Sequence, residues 1–389
     1  MDIKKIDGEY VAGTYARFPL EIVSGKGSLV YDETGKEYID LGTGIAVNTF
    51  GVADDAWIAA VTEQLGKCQH TSNLFYSSPC ALLAKALCER TGMKRVFFSN
   101  SGAEANETAI KTARKYAADK KGKDTNVIIT LKNSFHGRTV TTLSATGQDT
   151  FHKDFTPMTP GFVYAEPEDL GSVETLIREN KVAAIMFELV QGEGGVVALS
   201  HEFVNGLVRI AHEHDILLVV DEVQTGNGRT GSLYAYMQYG FTPDIVSTAK
   251  GLGGGLPIGA CLLGEKVKDT LTPGSHGSTF GGNPIAAAGA LNVLSRIDDA
   301  LLSEVGNKAE YIKKELTGAD GIVSVSGLGL MIGIEVTGDA SAILAKCRDE
   351  GVLVIKAKHK LRLLPALNIP MDQLAKAVAV IKAACAGAQ

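Results

Sequence analysis

Apolar runs without polar alternation recur between about residues 79 and 300. An uninterrupted apolar run is typical of a strand that helices cover on both faces, as in a mostly parallel sheet. Stretches of helical pattern, such as 103–119 and 201–214, separate these runs. The pattern therefore predicts an open, mostly parallel α/β sheet flanked by helices. The predicted strands are 95–98, 126–131, 183–188, 216–221, 244–248 and 259–264.

Both ends of the chain follow a different pattern. Residues 27–41 predict a β-hairpin whose turn lies at 33–35. We expect a large central domain over 56–298 and a smaller α+β domain built from 1–55 and 299–389. The C-terminal part predicts, in order, a helix at 299–316, strands within 322–336, a helix at 340–350, short strands near 352–355 and 361–364, and a final helix.

Length and composition narrow the class of protein. A chain of 389 residues is too long for one compact core, so two or three domains are expected. A net charge of -6 and the lack of a lysine and arginine block argue against nucleic-acid binding. An anionic ligand must then be bound by local arginines and helix N-termini rather than by a field over the whole surface.

No apolar run is long enough for a membrane helix, and the first residues lack the apolar segment of a signal peptide. The six cysteines show no CxxC spacing and are interpreted as reduced, mostly buried thiols. The segment 212–214 is not an HExxH motif, and its two histidines point to different helix faces. We therefore predict a cytoplasmic protein without a metal site.

Two charged residues follow neighbouring strands of the predicted sheet. Asp221 ends the run in "ILLVVDEVQTG", and Lys250 lies in "STAKGLGGGLPIGA", just after the next strand. Ligands of open α/β sheets bind beyond the carboxyl ends of strands, so the two side chains are expected to converge there. Each also has an ordinary interpretation: the aspartate as a turn-forming residue, and the lysine as a surface residue at a flexible glycine-rich turn.

The segment after strand 95–98 supplies a candidate anion site. Ser101 to Glu104 fits a capping box that opens a helix, and Gly102 lies in its first turn. Free backbone N–H groups and the helix dipole bind phosphate well at such a position, although a plain helix start is the commoner meaning. A lysine, an acid at a strand end and an anion-binding helix start are what pyridoxal 5'-phosphate needs.

The chain resembles the class III pyridoxal-phosphate-dependent aminotransferases, which have fold type I. The resemblance extends from "TYARFPLEIVSGKG" to "LRLLPALNI", nearly the whole chain. The motifs that carry it, in the family's order, are "SNSGAEANE", "SFHGRT", "ELVQGEGG", "DEVQTGNGRTG", "STAKGLGGGLPIGA" and "HGSTFGGNP".

The resemblance implies a role for each matching residue around the cofactor. Lys250 is the catalytic residue and carries the cofactor covalently. Thr279 reaches the cofactor phosphate of the neighbouring subunit, so a homodimer is the smallest active unit. The other cofactor-binding positions are Asp221 at the ring nitrogen, Gln224 at the ring hydroxyl, Glu188 supporting Gln224, Phe135 stacked on the ring, and Ser101, Gly102 and Ala103 at the phosphate.

The resemblance also implies a substrate site. Arg138 and Arg362 bind substrate carboxylates, for which the planar guanidinium is suited. Glu193 pairs with Arg362 when no carboxylate occupies it, and Ser278 is a further substrate contact. Two departures from the family pattern lie at Leu189, where a proline is usual, and in the entrance loop 51–57.

The implied reaction transfers the δ-amino group of N2-acetyl-L-ornithine to 2-oxoglutarate, in arginine biosynthesis. Gly44 stands where ornithine aminotransferases carry a tyrosine, which favours the acylated donor over free ornithine. Ornithine, succinylornithine and 4-aminobutyrate remain alternative donors. An intramolecular aminomutase and a non-catalytic scaffold of the same fold are the alternatives of other kinds.

Overall fold

The computed structural model describes residues 2–387. The helices are α1 (Ile3–Tyr10), α2 (Thr43–Ala46), α3 (Asp55–Leu65), α4 (Ser78–Thr91), α5 (Gly102–Lys121), α6 (Val140–Ala145), α7 (Leu170–Glu179), α8 (His201–Glu213), α9 (Pro284–Arg296), α10 (Asp299–Leu316), α11 (Ala340–Asp349) and α12 (Met371–Ala386). The strands are β1 (Ile22–Lys26), β2 (Leu29–Asp32), β3 (Glu37–Asp40), β4 (Arg95–Ser99), β5 (Val127–Leu131), β6 (Phe162–Ala165), β7 (Val182–Phe187), β8 (Val190–Gln191), β9 (Val197–Ala198), β10 (Leu217–Asp221), β11 (Ile245–Thr248), β12 (Gly259–Leu263), β13 (Ile322–Leu328), β14 (Met331–Val336), β15 (Val352–Leu353), β16 (Ile355–Ala357) and β17 (Lys360–Leu363).

The central sheet has seven strands in the order β4-β12-β11-β10-β7-β5-β6. Neighbours pair in parallel except β12, which is antiparallel to both β11 and β4. The six strands predicted for this sheet are confirmed to within one residue at each end. The prediction missed β6, a short edge strand that is mostly half-buried and therefore lacks a long apolar run.

Both faces of the central sheet are covered, which explains the uninterrupted apolar runs. Leu218 and Val220 of β10 pack into a core on one face, whereas Leu217 and Val219 pack into a core on the other. Successive side chains of a strand point to opposite faces, so a strand covered on both sides needs apolar residues at every position. The covered sheet thus lies beneath the loops that follow its strands.

Elements from both ends of the chain share a separate core. Ile39 of β3 packs in the same cluster as residues of α10, β14 and α12. Strand β15 also pairs in parallel with β3, with Val352 opposite Ile39. The predicted hairpin is confirmed as the antiparallel pair β2 and β3. The shared core supports a small unit built from both termini, and the domain boundaries at 55 and 298 stay a prediction.

The predicted C-terminal order of helix, two strands, helix, short strands and helix is confirmed in α10 to α12. Within residues 2–387, none of the helices combines the length and apolar character that crossing a membrane requires.

Candidate active site

The two charged residues at the strand ends lie in one cavity. Strands β10 and β11 run parallel with Asp221 opposite Ser247, and Lys250 comes two residues after β11 ends. The cavity has a volume of about 450 Å³. Nine of the sequence-predicted site residues line it: Ser101, Gly102, Ala103, Phe135, Arg138, Glu188, Asp221, Gln224 and Lys250.

Lys250 begins a short 3₁₀ turn and has a left-handed backbone, with φ of 45°. A residue other than glycine in this region is strained, and such strain is concentrated at functional sites. Desolvation lowers the pKa of its amine, an effect that the charge of Glu193 opposes. At a given pH, a larger fraction of the Lys250 amine is therefore neutral than for an ordinary lysine.

The carboxylate of Asp221 is almost completely buried and is held on both oxygens. Oδ2 accepts a hydrogen bond from Nδ2 of Asn106 at 2.7 Å, and Nδ1 of His136 lies 2.8 Å from the same oxygen. Oδ1 accepts from the backbone N–H of Val223 at 3.0 Å. The turn-forming role and a role at the cavity are thus compatible in one side chain.

Asn106 and His136 were missed by the sequence reasoning. Both lie inside motifs that carried the resemblance, "SNSGAEANE" and "SFHGRT", so the signal was present beside the chosen residues. Their side chains are buried and line the cavity. Asn106 and His136 thus fix the orientation of the Asp221 carboxyl group at the cavity.

The start of α5 opens onto the cavity. Ser101 has an extended backbone, and its Oγ accepts from the N–H of Glu104 at 3.2 Å. The predicted capping box is shifted by one residue, because Oε2 of Glu104 accepts from the N–H of Asn100 at 2.9 Å. The N–H groups of Gly102 and Ala103 belong to the first turn of the helix, where no intrahelical acceptor exists. They can therefore bind an anion in the cavity.

Glu188 differs from its predicted role. Its carboxylate accepts from the backbone N–H groups of Phe135 at 2.9 Å and Gly192 at 3.2 Å, and no hydrogen bond joins it to Gln224 in the described structure. Burial raises the pKa of this carboxyl to about 7. Glu188 thus fixes the backbone on both sides of the cavity wall rather than supporting Gln224. The neighbouring Leu189 is completely buried.

Arg362, Glu193 and Gln224 form one hydrogen-bonded group beside the cavity. Nη1 of Arg362 donates to Oε1 of Glu193 at 2.6 Å and to Oε1 of Gln224 at 3.2 Å. Neither Arg362 nor Glu193 lines the cavity itself; Gln224 connects them to it. The predicted pairing of Glu193 with Arg362 is therefore present, and Gln224 is engaged by the arginine.

Arg138 lies at the cavity on the exposed side. Its guanidinium lies over the aromatic rings of Phe135, at 5.5 Å from the centroid, and Phe151, at 4.2 Å. Arg138 is exposed, and a planar guanidinium can form two parallel hydrogen bonds to a carboxylate. Its location agrees with the predicted substrate role, which stays a prediction.

Ser278 and Thr279 are not brought into the cavity lining of this chain. Oγ of Ser278 accepts from Nδ2 of Asn100 at 3.2 Å and from the N–H of Gly281 at 3.0 Å. Ser278 therefore contacts a cavity residue but does not face the cavity. Thr279 is exposed on the surface.

Gly44 lies in the wall of a separate cavity of about 360 Å³, together with Arg17 and Phe18. This placement differs from the expected position beside the substrate. All four residues of α2 have positive φ, and Gly44 has φ of 63°. A tyrosine at this position would be strained regardless of the space around it, so the backbone contributes to the choice of glycine.

The chain belongs to the aminotransferase class III family, whose model matches residues 10–385. It is 50% identical over 381 residues to an acetylornithine aminotransferase from Haemophilus ducreyi, covering 97% of each chain. It is 44% identical over 387 residues to a succinylornithine transaminase from Salmonella paratyphi A, covering 97% of this chain and 95% of the relative. An ornithine aminotransferase structure from Toxoplasma gondii matches with a TM-score of 0.94 and 32% identity, covering 100% of this chain and 94% of the other. Pyridoxal 5'-phosphate partially occupies the active site of that structure.

The family uses pyridoxal 5'-phosphate, and the cavity fits this cofactor. The free N–H groups of Gly102 and Ala103 suit the phosphate. Asp221 supplies a buried carboxyl group for a ring nitrogen, and Lys250 supplies an amine with a lowered pKa for the aldehyde. Phe135 lines the same cavity and supplies an aromatic face for the ring.

Proposed function

We propose that this enzyme transfers the δ-amino group of N2-acetyl-L-ornithine to 2-oxoglutarate. The products are N-acetyl-L-glutamate 5-semialdehyde and L-glutamate, and the reaction belongs to arginine biosynthesis. The observation that carries the proposal is the pair formed by Arg362 and Glu193 next to the cavity. The guanidinium of Arg362 can pair either with Glu193 or with a substrate carboxylate. This suits a reaction with two substrates, of which only 2-oxoglutarate brings a carboxylate to Arg362.

The side chains around the cavity have separate tasks in this reaction. When bound, pyridoxal 5'-phosphate supplies an aldehyde for the amino group and a protonated ring that takes up electrons from the substrate carbon. Asp221 holds the ring-nitrogen proton through its buried carboxylate, and the first turn of α5 binds the phosphate. Nζ of Lys250 accepts the proton from the substrate carbon, since its lowered pKa makes the neutral amine available.

Arg138 binds the α-carboxylate of the donor in this proposal. In the first half-reaction Glu193 keeps Arg362 neutralised, so the δ-amino end of the donor enters without a carboxylate beside it. In the second half-reaction Glu193 turns away, and Arg362 binds the distal carboxylate of 2-oxoglutarate. The exposed fraction of Glu193, 29% against 3% for Arg362, supports the glutamate as the partner that moves.

The proposed active unit is a homodimer in which Thr279 of one subunit reaches the cofactor phosphate of the other. The chain exposes a run of large apolar side chains at Leu74, Phe75 and Tyr76, and Phe280 is exposed next to Thr279. Nδ2 of Asn73 donates to the carbonyls of Ser278 and Gly281 at 3.0 Å, so the two exposed segments lie side by side. Exposed apolar patches mark protein interfaces, and Thr279 lies next to this one. The cytoplasmic location predicted from the sequence stays a prediction.

A second donor, N2-succinylornithine, is favoured by the 44% identity to the Salmonella succinylornithine transaminase. The test is a panel of purified donors, in which glutamate formation is measured with 2-oxoglutarate and consumption of the donor is measured without it. The panel contains N2-acetylornithine, N2-succinylornithine, ornithine and 4-aminobutyrate. Because of the 50% identity to an acetylornithine aminotransferase, we expect kcat/KM for N2-acetylornithine to exceed that for ornithine by at least about tenfold. A preference for another donor would refute the substrate assignment, and turnover without 2-oxoglutarate would favour an aminomutase.

A further inference from the structure

Arg229 is a buried cation that no step of the proposed reaction uses. Its side chain is 2% exposed, and it lies in the loop after β10, five residues beyond Gln224. Desolvation lowers the pKa of its guanidinium to about 9, and its side-chain hydrogen bonds within residues 2–387 go to backbone carbonyls. Burying a cation without an anion is unfavourable, so a function that depends on its hydrogen bonds is expected.

The hydrogen bonds of Arg229 go to backbone carbonyls of two C-terminal segments. Nη1 donates to the carbonyl of Leu330 at 3.1 Å and to the carbonyl of Pro365 at 2.5 Å. The N–H of Leu330 donates in turn to the carbonyl of Arg229 at 2.9 Å. A Cβ on Gly329 would lie 2.4 Å from the backbone of Thr230, so the turn before β14 packs directly on this loop.

Pro365 follows Arg362 by three residues, and Arg362 donates to Gln224 at 3.2 Å. Two links therefore join the loop after β10 to the segment around β17. One link is the bond from Arg362 to Gln224 at the cavity, and the other is the bond from Arg229 to Pro365 behind it. Because these two hydrogen bonds hold the loop and the segment together on both sides, Arg362 has little freedom to shift relative to Gln224.

The same loop also approaches Lys250. Nδ2 of Asn227 donates to the carbonyl of Ala249, the residue before Lys250, at 3.2 Å. Residues 224–229 thus connect the segment that carries the amine with the segment that carries the carboxylate-binding arginine. The distance between these two groups determines which length of 2-oxo acid fits.

We propose that Arg229 is a positioning residue that sets the location of Arg362 and thereby the affinity for the distal carboxylate of the 2-oxo acid. The inference rests on the proposed function for the role of Arg362. Arg229 itself touches neither substrate nor cofactor in this proposal. It acts by fixing the backbone three residues after Arg362.

The experiment compares Arg229→Lys and Arg229→Met with Lys308→Met. Lys308 is the control, because it is also a buried cation and its Nζ donates to the carbonyl of Leu367 at 2.9 Å, in the same segment, although it also pairs with Glu304 at 3.1 Å. It extends from α10, however, and not from the loop that contains Gln224. Each holoenzyme is assayed for the two half-reactions separately, and its melting temperature is recorded.

We expect both Arg229 variants to raise KM for 2-oxoglutarate by roughly 10- to 100-fold, because small displacements of a binding group have effects of that size. KM for N2-acetylornithine should change much less. Binding of the unreactive dicarboxylate glutarate to the holoenzyme, measured by calorimetry, should weaken in parallel. Arg229→Lys should be milder than Arg229→Met, and it decides the question if the methionine variant does not fold.

The Lys308→Met enzyme should lose thermal stability without this selective loss of dicarboxylate affinity. Unchanged glutarate affinity in Arg229→Lys, or equal losses in Lys308→Met, would overturn the inference. A wild-type enzyme that binds glutarate but does not accept N2-acetylornithine would instead refute the proposed function. The two failures are therefore distinguishable.

Discussion

The guanidinium of Arg362 and the carboxylate of Glu193 lie 2.6 Å apart, although the arginine is buried and the glutamate is partly exposed. The pair is asymmetric: the arginine is fixed by its strand and by Gln224, whereas the glutamate lies in a loop between two short strands. An anion from a substrate can replace the glutamate without displacing the arginine. This asymmetry leads to the first prediction.

Glu193→Ala should shift the donor preference towards glutamate and impair the half-reaction with N2-acetylornithine. Without the glutamate, Arg362 is unpaired unless a substrate carboxylate binds it, and the loss of stability should be smaller than the roughly 3–5 kcal/mol of a fully buried pair. The measurement is kcat/KM for each half-reaction. Glu213→Ala, which breaks an exposed pair with Arg209, serves as the control and should change neither. Equal losses in both half-reactions would leave Glu193 a structural role only.

The attachment of pyridoxal 5'-phosphate to the apoenzyme should become fast at a lower pH than an ordinary lysine allows. Burial lowers the pKa of Lys250 from 10.5, and only the neutral amine attacks the aldehyde. The rate, followed by visible absorbance after mixing, should therefore rise with pH and level off below pH 10.5. Lys250→Ala should bind the cofactor, but treatment with borohydride should not attach it permanently to the protein, because no imine is present to be reduced. A rate that keeps rising to the pKa of free lysine would contradict the prediction.

The unfolding free energy should decrease as pH rises towards 7, in part because of Glu222. Burial raises the pKa of this carboxyl from 4.5 to about 7, so the folded state binds a proton more tightly than the unfolded state. Stability from this group is fully present below its unfolded pKa and is lost as pH rises through the folded value. A shift of this size corresponds to about 3 kcal/mol.

Glu222→Gln should flatten the pH dependence of the unfolding free energy, because the glutamine amide cannot ionise. Its oxygen can still accept the hydrogen bond that the N–H of Tyr236 donates to Oε1 of Glu222 at 2.8 Å. Chemical denaturation at acidic, neutral and alkaline pH measures the effect. The exposed Glu310→Gln on α10 is the matched control and should leave the slope unchanged. An identical slope in wild type and Glu222→Gln would show that folding does not raise the pKa of Glu222.

Mixing Lys250→Ala with Thr279→Ala should restore part of the activity. In a mixed dimer, one of the two sites would contain both an intact Lys250 and the partner subunit's Thr279. Activity is measured after the two inactive or weakened proteins are unfolded together and refolded, with each variant refolded alone as the control. Mixed dimers that are verified by mass but recover no activity would place the action of Thr279 within its own subunit.

The sequence by itself determined the central sheet and the meeting of Asp221 with Lys250. A strand covered on both faces must be apolar throughout, and such runs are visible locally along the chain. Parallel neighbouring strands end at the same edge of the sheet, so residues that follow them must converge. These conclusions depend only on short-range pattern and on general rules of sheet geometry.

Only the tertiary structure decided which partners each site residue has. Asn106 and His136 reach Asp221 across 115 and 85 positions of the chain, and Arg229 reaches Pro365 across 136. The carboxylate of Glu188 went to backbone N–H groups rather than to Gln224, and β12 inserted antiparallel between β4 and β11. Hydrogen bonds between residues so far apart in sequence depend on how the connecting segments place distant parts of the chain next to each other. Local periodicity extends over a few residues and carries no information about that placement.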